Sequence, residues 1–312
     1  MGARTNTGLF IGLLMLLGFV VPAELVPSTA QEGARQGGAP AGGRGFSRPE
    51  ALDFNDRAGW TSMFDGKTLS GWDANPAVWK EEDGAITAES TAERRIGSTY
   101  VLWRGEEVGD FEWKLEVKLG GNIHSGIAYR SWTDPNRAAT LGPAAASLPP
   151  VPNAARPGGP PAGAAGGGRA GGRGPQPPPD VPSDPKWMLY GPGMDFDNEG
   201  SNAGHVEDRG TARRFVGWRG SIVRTEAGKV PRVIGTIGDP DALLKLIKTD
   251  DWNQVHILAR GNEVTHIVNG QLMAITFDED KTFFTPRGWM GWSIEGFGLG
   301  RVSVRNLWLK KL

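Results

Sequence analysis

The stretch Phe111-Glu112-Trp113-Lys114-Leu115-Glu116-Val117-Lys118-Leu119 alternates apolar and charged residues without a fault. Residues two apart share a face of a strand, so this pattern writes one buried face and one wet face. That is the habit of an antiparallel sheet covered on one side. After Gly120-Gly121 comes Asn122–Trp132, read as a second strand that pairs with the first. Its alternation puts Ile123, Ser125, Ile127 and Tyr129 on one face and His124, Gly126, Ala128, Arg130 and Trp132 on the other. The second face sets a titratable ring and a cation at either end of two nearly absent side chains, with an indole beyond. Such a gap suits a face that a ligand must approach. A thin strand covered by another segment's side chains explains the same residues.

Further along, Asn-Gly at 269–270 separates two alternating runs, the strongest short signal for a hairpin. Strands are expected at Gln254–Arg260, Val264–Val268, Gln271–Phe277, Gly288–Phe297 and Arg301–Leu309. Trp60–Trp72 reads as a strand, a turn at Asp65-Gly66 and a return, and Asp83-Gly84 as a second hairpin turn. One helix is expected from Asp239-Pro240 through Lys248, with Asp as cap and Pro in the first turn. Many strands, frequent Gly turns and one short helix predict an all-β fold, a sandwich of two antiparallel sheets.

The ends and the middle differ from this. Arg4, an apolar run from Leu9 to Val21 and small residues at Ser28-Thr29-Ala30 have the layout of a secretory signal peptide over residues 1–30. Residues 31–51 read as a flexible tether. Residues 52–312 are then one domain, interrupted by a Pro/Gly/Ala-rich insertion at about 135–185 that lacks the apolar residues to order itself. A secreted or periplasmic location follows, with no membrane span once the signal is cleaved. The chain has 0 Cys, so disulfides and a lipid-anchored lipoprotein are excluded. A net charge of −1 offers no phosphate-neutralising surface, which argues against nucleic acid. The 12 Trp against 3 Tyr suit half-wet sugar platforms as well as core filling.

The blocks Gly59-Trp60-Thr61-Ser62-Met63-Phe64-Asp65-Gly66-Lys67-Thr68-Leu69-Ser70-Gly71-Trp72, Asp110-Phe111-Glu112, Asn122 with Ser125-Gly126-Ile127 and Arg130, Asp251-Trp252-Asn253, His266 with Asn269-Gly270, and Val304-Arg305-Asn306-Leu307 resemble those of the DUF1080 domain, associated with 3-keto-disaccharide (3-keto-glycoside) hydrolases. The resemblance implies a concanavalin A-like jelly roll and a 3-keto-glycoside substrate. Two blocks depart from the family pattern: Gly193-Met194-Asp195-Phe196-Asp197 stands where Tyr-Glu-x-Gln is usual, and Ser293 and Glu295 stand where Gln and His are common.

A ketone at C3 acidifies the C2 proton. Cleavage by proton abstraction, β-elimination and hydration needs a base near C2, donors at the C3 oxygen and an acid for the leaving group. Arg130 is the candidate for the oxyanion, and His124, Asp195, His266 and Glu295 are candidates for base or acid. Ser125, Trp132, Asp197, Trp218 and Trp292 are candidates to bind the sugar. Each has a plainer reading: a salt bridge for Arg130, a structural ring for either His, turn-end carboxylates for the Asp pair, core packing for the Trp residues. No spacing matches a zinc motif; a divalent cation held by carboxylate oxygens is the metal this set would suit. The rival function is a non-catalytic carbohydrate-binding domain.

Overall fold

The computed structural model describes residues 53–137, 177–198, 202–296 and 298–312. The expected signal peptide and the whole of the tether, with most of the insertion, lie outside these residues. The described chain falls in one compact unit, Ala51–Leu312.

Sixteen strands form among the described residues. The first five are β1 (Thr61–Ser62), β2 (Trp72–Ala74), β3 (Lys80–Glu82), β4 (Ala85–Ser90) and β5 (Thr99–Val108). The sixth, β6 (Phe111–Ser131), is 21 residues long and holds both stretches that the sequence reads as separate, paired strands. This overturns the pairing. Gly120-Gly121 makes no turn. Both residues stay on one ladder with the last strand, β16 (Gly298–Lys311), with Arg301 opposite Gly120 and Gly300 opposite Gly121. Gly121 has φ +73°, and a Cβ there would lie 2.8 Å from the Leu299 carbonyl oxygen. The glycines therefore bend one strand from one sheet into the other.

Between β6 and β16 lie β7 (Gly191–Asp197), β8 (Val206–Arg209), β9 (Arg214–Gly217), β10 (Ser221–Glu226), β11 (Arg232–Thr236), helix α1 (Pro240–Leu244), β12 (Asn253–Arg260), β13 (Glu263–Val268), β14 (Gln271–Glu279) and β15 (Gly288–Ile294). The first sheet runs β3-β4-β16-β6-β12-β13-β14-β10-β11, with β1 beside the C-terminal end of β16. The second runs β2-β5-β15-β6-β7-β8-β9. The fold is the expected all-β jelly-roll sandwich, with one short α-helix among the described residues.

Three details differ from the sequence reading. β10 and β14 pair in parallel, which the long crossover between them permits. β1 and β2 go to different sheets, so Asp65-Gly66 links layers and closes no hairpin. The helix stops at Leu244, four residues short, although Asp239 caps it as expected, accepting from the Ala242 amide at 2.7 Å. The hairpin of β13 and β14 forms as the sequence reads, with φ +52° at Asn269 and +76° at Gly270.

The core lies between the sheets. Phe111, Trp113, Leu115, Val117 and Leu119 line it from the first half of β6, and Ile123, Ile127 and Tyr129 from the second. Each fully buried large side chain contributes roughly 2–3 kcal/mol. Lys114, on the other face of β6, is buried too: its Nζ donates to the Asp53 and Asp56 carbonyls at 2.9 and 3.1 Å. The N-terminal stretch of the domain thus lies over that face and shields it. No helix among the described residues is long and apolar enough to cross a membrane.

Candidate functional site

The outer face of the second sheet is where charge collects. On β7, Met194 and Phe196 enter the core, so Asp195 and Asp197 point the other way, as the alternation requires. Across the ladder Asp195 stands opposite Gly126 and Asp197 opposite His124. On β8, Glu207 stands opposite Gly193 and Arg209 opposite Gly191. From the other side come Ser293 on β15 and its ladder partner Tyr100 on β5. Glu295 follows β15, tied by its amide to the His124 carbonyl at 3.0 Å. Three strands of glycine and alanine, at Gly126, Ala128, Gly191, Gly193 and Gly291, leave room over the sheet for long side chains to lie flat.

Arg209 uses that room. Its guanidinium contacts the Glu207 carboxylate, lies 3.4 Å from the Glu295 Oε1, and sits 5.4 Å over the Tyr100 ring. A Cβ on Gly126 would come within 1.4 Å of Arg209 Nη2. The gap expected on this face of β6 is therefore real and is occupied by a cation from β8. Gly126 also donates its amide to Ser293 Oγ at 3.0 Å, which fixes the floor. Arg209 Nη1 has no hydrogen-bond acceptor among the described residues.

The electrostatics follow from four carboxylates crowded round one guanidinium in little water. Asp195 and Glu207 are each 8% exposed. Burial pushes the Glu207 carboxyl up to about 7; Arg209 opposes this, and Glu295 adds to it. Burial, then Glu207, Glu295 and Asp197, hold Asp195 well above the ordinary aspartate range. Burial works against the charge on Arg209, but Glu207, Tyr100, Glu295 and Asp195 outweigh it and raise its pKa. Burial likewise raises the Tyr100 phenol. One carboxyl raised to about 7, a second raised above the ordinary aspartate range and one guanidinium are a set suited to acid–base chemistry.

Of the residues expected from sequence, His124, Asp195, Asp197 and Glu295 meet here. Arg130 does not. It has φ +48°, and the ladder shifts register beside it, with Trp289 opposite Ser131 but Gly291 opposite Ala128. Tyr129 still enters the core, and the bulge breaks the alternation after it, at Arg130. Arg130 instead donates to the Gly109 and Gly261 carbonyls at 2.8 and 2.7 Å and to Asp110 at 2.8 Å, bracing two turns. His266 lies in the core, its Nε2 2.9 Å from the Tyr129 hydroxyl and its Nδ1 3.3 Å from the Gly204 carbonyl. Burial lowers its pKa to about 4, so it is neutral.

Ser125 faces inward, its hydroxyl donating to the Ser293 carbonyl at 2.7 Å. Trp292 is core, its ring 4.8 Å from Trp72. Trp132 is buried against Gly191 at the end of β6, where its backbone bridges to Tyr190. Trp218 packs edge-on to His205 at 4.7 Å and beside Phe215, the ladder partner of Glu207, at the margin of the charged face.

Sequence reading missed Tyr100, Glu207, Arg209 and Ser293. Val206-Glu207-Asp208-Arg209 is too short to show a period, yet Glu207 and Arg209 are two apart and so share a face. Among the described residues no group of three His, Asp or Glu side chains is set to hold a metal ion.

Comparison with known proteins gives one family. A family model described as a 3-keto-alpha-glucoside-1,2-lyase-like domain matches residues 59–310. No curated protein matches. Among solved structures, a presumed glycosyl hydrolase from Parabacteroides distasonis ATCC 8503 is 15% identical with a TM-score of 0.44, covering 82% of this chain and 94% of its own. The carbohydrate-binding module CBM66 from Bacillus subtilis is 12% identical with a TM-score of 0.39, covering 77% and 96%. The Emp47p carbohydrate recognition domain is 9% identical with a TM-score of 0.42, covering 82% and 99%.

Proposed function

The chain belongs to the family of 3-keto-alpha-glucoside-1,2-lyase-like domains, and from that premise we propose that it cleaves 3-keto-glycosides by elimination and hydration on the outer face of the second sheet. The observation that carries this reading is the contact of Glu207, a carboxyl poised near neutrality, with the fixed guanidinium of Arg209 at Gly126. A base of that pKa is matched to removing a proton made acidic by an adjacent ketone at neutral pH.

In the first half-reaction the Glu207 carboxylate takes the C2 proton. The electron pair moves to the C3 oxygen, and the positive charge of Arg209 beneath that face stabilises the charge that develops there. The enolate then expels the C1 substituent, and Asp195, whose pKa its surroundings raise, gives a proton to the leaving oxygen. The products are an alcohol and an enone with a C1–C2 double bond. In the second half-reaction water adds its oxygen to C1, its proton goes to Asp195, and the proton held by Glu207 returns to C2. The sum is hydrolysis, and both carboxyls end as they began. Glu295 holds Arg209 from the far side. His124 borders the sugar, Asp197 lies buried behind it, where its carboxylate accepts from the Asn202 amide, and Trp218 offers a ring at the margin.

The test is a purified chain given a chromogenic 3-keto-glucoside and, in parallel, the unoxidised glucoside, each with and without chelator. Release of the chromophore from the keto compound only is expected. Loss on chelation adds a divalent cation to the mechanism. Sugar binding with turnover of neither compound sinks this reading in favour of a carbohydrate-binding domain. A secreted or periplasmic location is part of the same proposal, and fractionation of cells that express the full chain tests it.

A further inference from the structure

Between Glu207 and Arg209 on β8 stands Asp208, which alternation turns to the opposite face. Its partner there is Arg213, from the turn that leads into β9. Arg213 Nε donates to Asp208 Oδ2 at 2.7 Å. The same guanidinium reaches across to β14 of the first sheet and grips Asp278 with two parallel bonds, 2.8 and 2.9 Å. Asp280 Oδ2 lies 3.8 Å away, and the Phe283 ring lies under the guanidinium at 4.8 Å. Thr225 of β10 donates to Asp278. The Thr211 hydroxyl donates to the Asp208 carbonyl at 3.0 Å. Asp208 is fully buried and Arg213 is 5% exposed.

β8 needs such an anchor. It is four residues long and pairs only with β7 and the equally short β9. Its ladder alone does not fix the depth at which Glu207 and Arg209 sit. We propose that Arg213 is a positioning residue: by gripping Asp208 on one side and Asp278 of the other sheet on the other, it holds β8 so that Glu207 and Arg209 meet at Gly126. A forked, always-charged side chain suits the task, because it fixes orientation as well as distance. The inference rests on the reading of Glu207 and Arg209 as reacting groups.

The brace also enters the charge balance at Glu207. The charged and titratable groups round that carboxyl are Arg209 and Asp208 on its own strand, Asp195 on β7, Glu295 after β15, Tyr100 on β5 and Tyr129 on β6. Replacing Asp208 by Asn removes one negative charge next in sequence to Glu207 and leaves Arg213 less compensated. Both changes favour the ionised form of Glu207, so its titration must move to lower pH.

The experiment follows the Glu207 carboxyl by carbon-13 NMR in protein labelled at the glutamate side-chain carboxyl, with Glu207→Gln identifying the signal. In parallel, kcat and KM for the chromogenic 3-keto-glucoside are measured against pH. Asp208→Asn is expected to lower the Glu207 midpoint by about 0.5–1 pH unit, carrying the acidic limb of the rate profile with it. Arg213→Lys keeps the charge and loses the fork; it is expected to leave the midpoint in place and lower kcat about tenfold at unchanged KM. If both variants lose only thermal stability, with midpoint and kcat at wild-type values, the brace is an ordinary structural ion pair and the proposal falls. Should Asp208→Asn not fold, Asp278→Asn shifts the balance in the same direction and takes its place. Full activity in Glu207→Gln defeats the functional reading instead, while the NMR midpoints still judge the brace.

Discussion

The two faces of β7 are both out of reach of bulk water, and they hold opposite chemistry. Met194 and Phe196 look inward into the apolar core, the same interior in which Tyr129 and His266 bond to each other. Asp195 and Asp197 look outward, one residue away along the same strand, into a crowd of carboxylates with one guanidinium. His266 and Glu207 sharpen the contrast. Burial pushes both towards their neutral forms, the imidazole down to about 4 and the carboxyl up to about 7. Both ring nitrogens of His266 have partners, so it does nothing but fill and bond. Glu207 is raised by burial and by neighbouring carboxylates and pulled back by Arg209, and that opposition leaves it poised. Burial perturbs a titratable group in either place; only an unfinished set of partners turns the perturbation into chemistry.

Four substitutions test that contrast. On the outer face, Glu207→Gln is expected to lower kcat/KM by about 10³–10⁴-fold, roughly 4–5 kcal/mol of barrier, with the fold intact. Steady-state kinetics beside a melting curve checks it. On the inner face, Trp292→Ala should cost about 3–5 kcal/mol of stability in urea unfolding, because it empties a site packed against Trp72 and Trp79. Loss of activity in that variant should track loss of folded protein and nothing more.

The third test uses pH, and the two groups have opposite signs. His266 is depressed from 6.5 to about 4, so its share of stability is whole above pH 6.5 and is lost as pH falls through 4. That share is roughly 3 kcal/mol. Urea unfolding at pH 7.5 and 4.5 should show a smaller difference in His266→Gln than in the wild type. Glu207 is raised from 4.5 to about 7, so its share is whole below pH 4.5 and is lost as pH rises through 7. Glu207→Gln should therefore be more stable than wild type at pH 8. Equal slopes in all three proteins contradict the assignment of both neutral forms.

The smallest change is Gly126→Ala. One methyl would displace the Arg209 guanidinium, with which it would overlap. A fall of about 30-fold in kcat/KM, near 2 kcal/mol, is expected with little change in melting temperature. Wild-type kinetics in this variant would mean that the placement of Arg209 is irrelevant to turnover.

Much of the outer face was legible in the chain. His124, Gly126, Asp195, Asp197 and Glu295 lie on one surface, the first four because strict alternation cannot put them elsewhere. Arg130 was legible only as a face assignment, and a one-residue bulge reversed it, since any break in a period-two pattern flips every side chain beyond it. Trp292 and Ser125 were misread for a different reason. Their faces follow from the alternation, and it is the core face in both cases. The aromatic and hydroxyl groups that suit a sugar also suit a dry interior.

The sequence determined what depends on neighbours along the chain: the strands, the hairpin at Asn269-Gly270, the capped helix and the family blocks. These rest on local sterics and on a period of two, which a few residues display in full. Tertiary structure decided what depends on strands far apart in sequence. It made one bent strand of the two stretches flanking Gly120-Gly121, because β16 supplies a continuous ladder across them. It also brought Glu207 and Arg209 to Gly126, across about 80 residues of chain whose length carries no record of the meeting. A pKa near neutrality belongs to that meeting: it is a property of low dielectric and converging charge, and neither exists until the sheet closes.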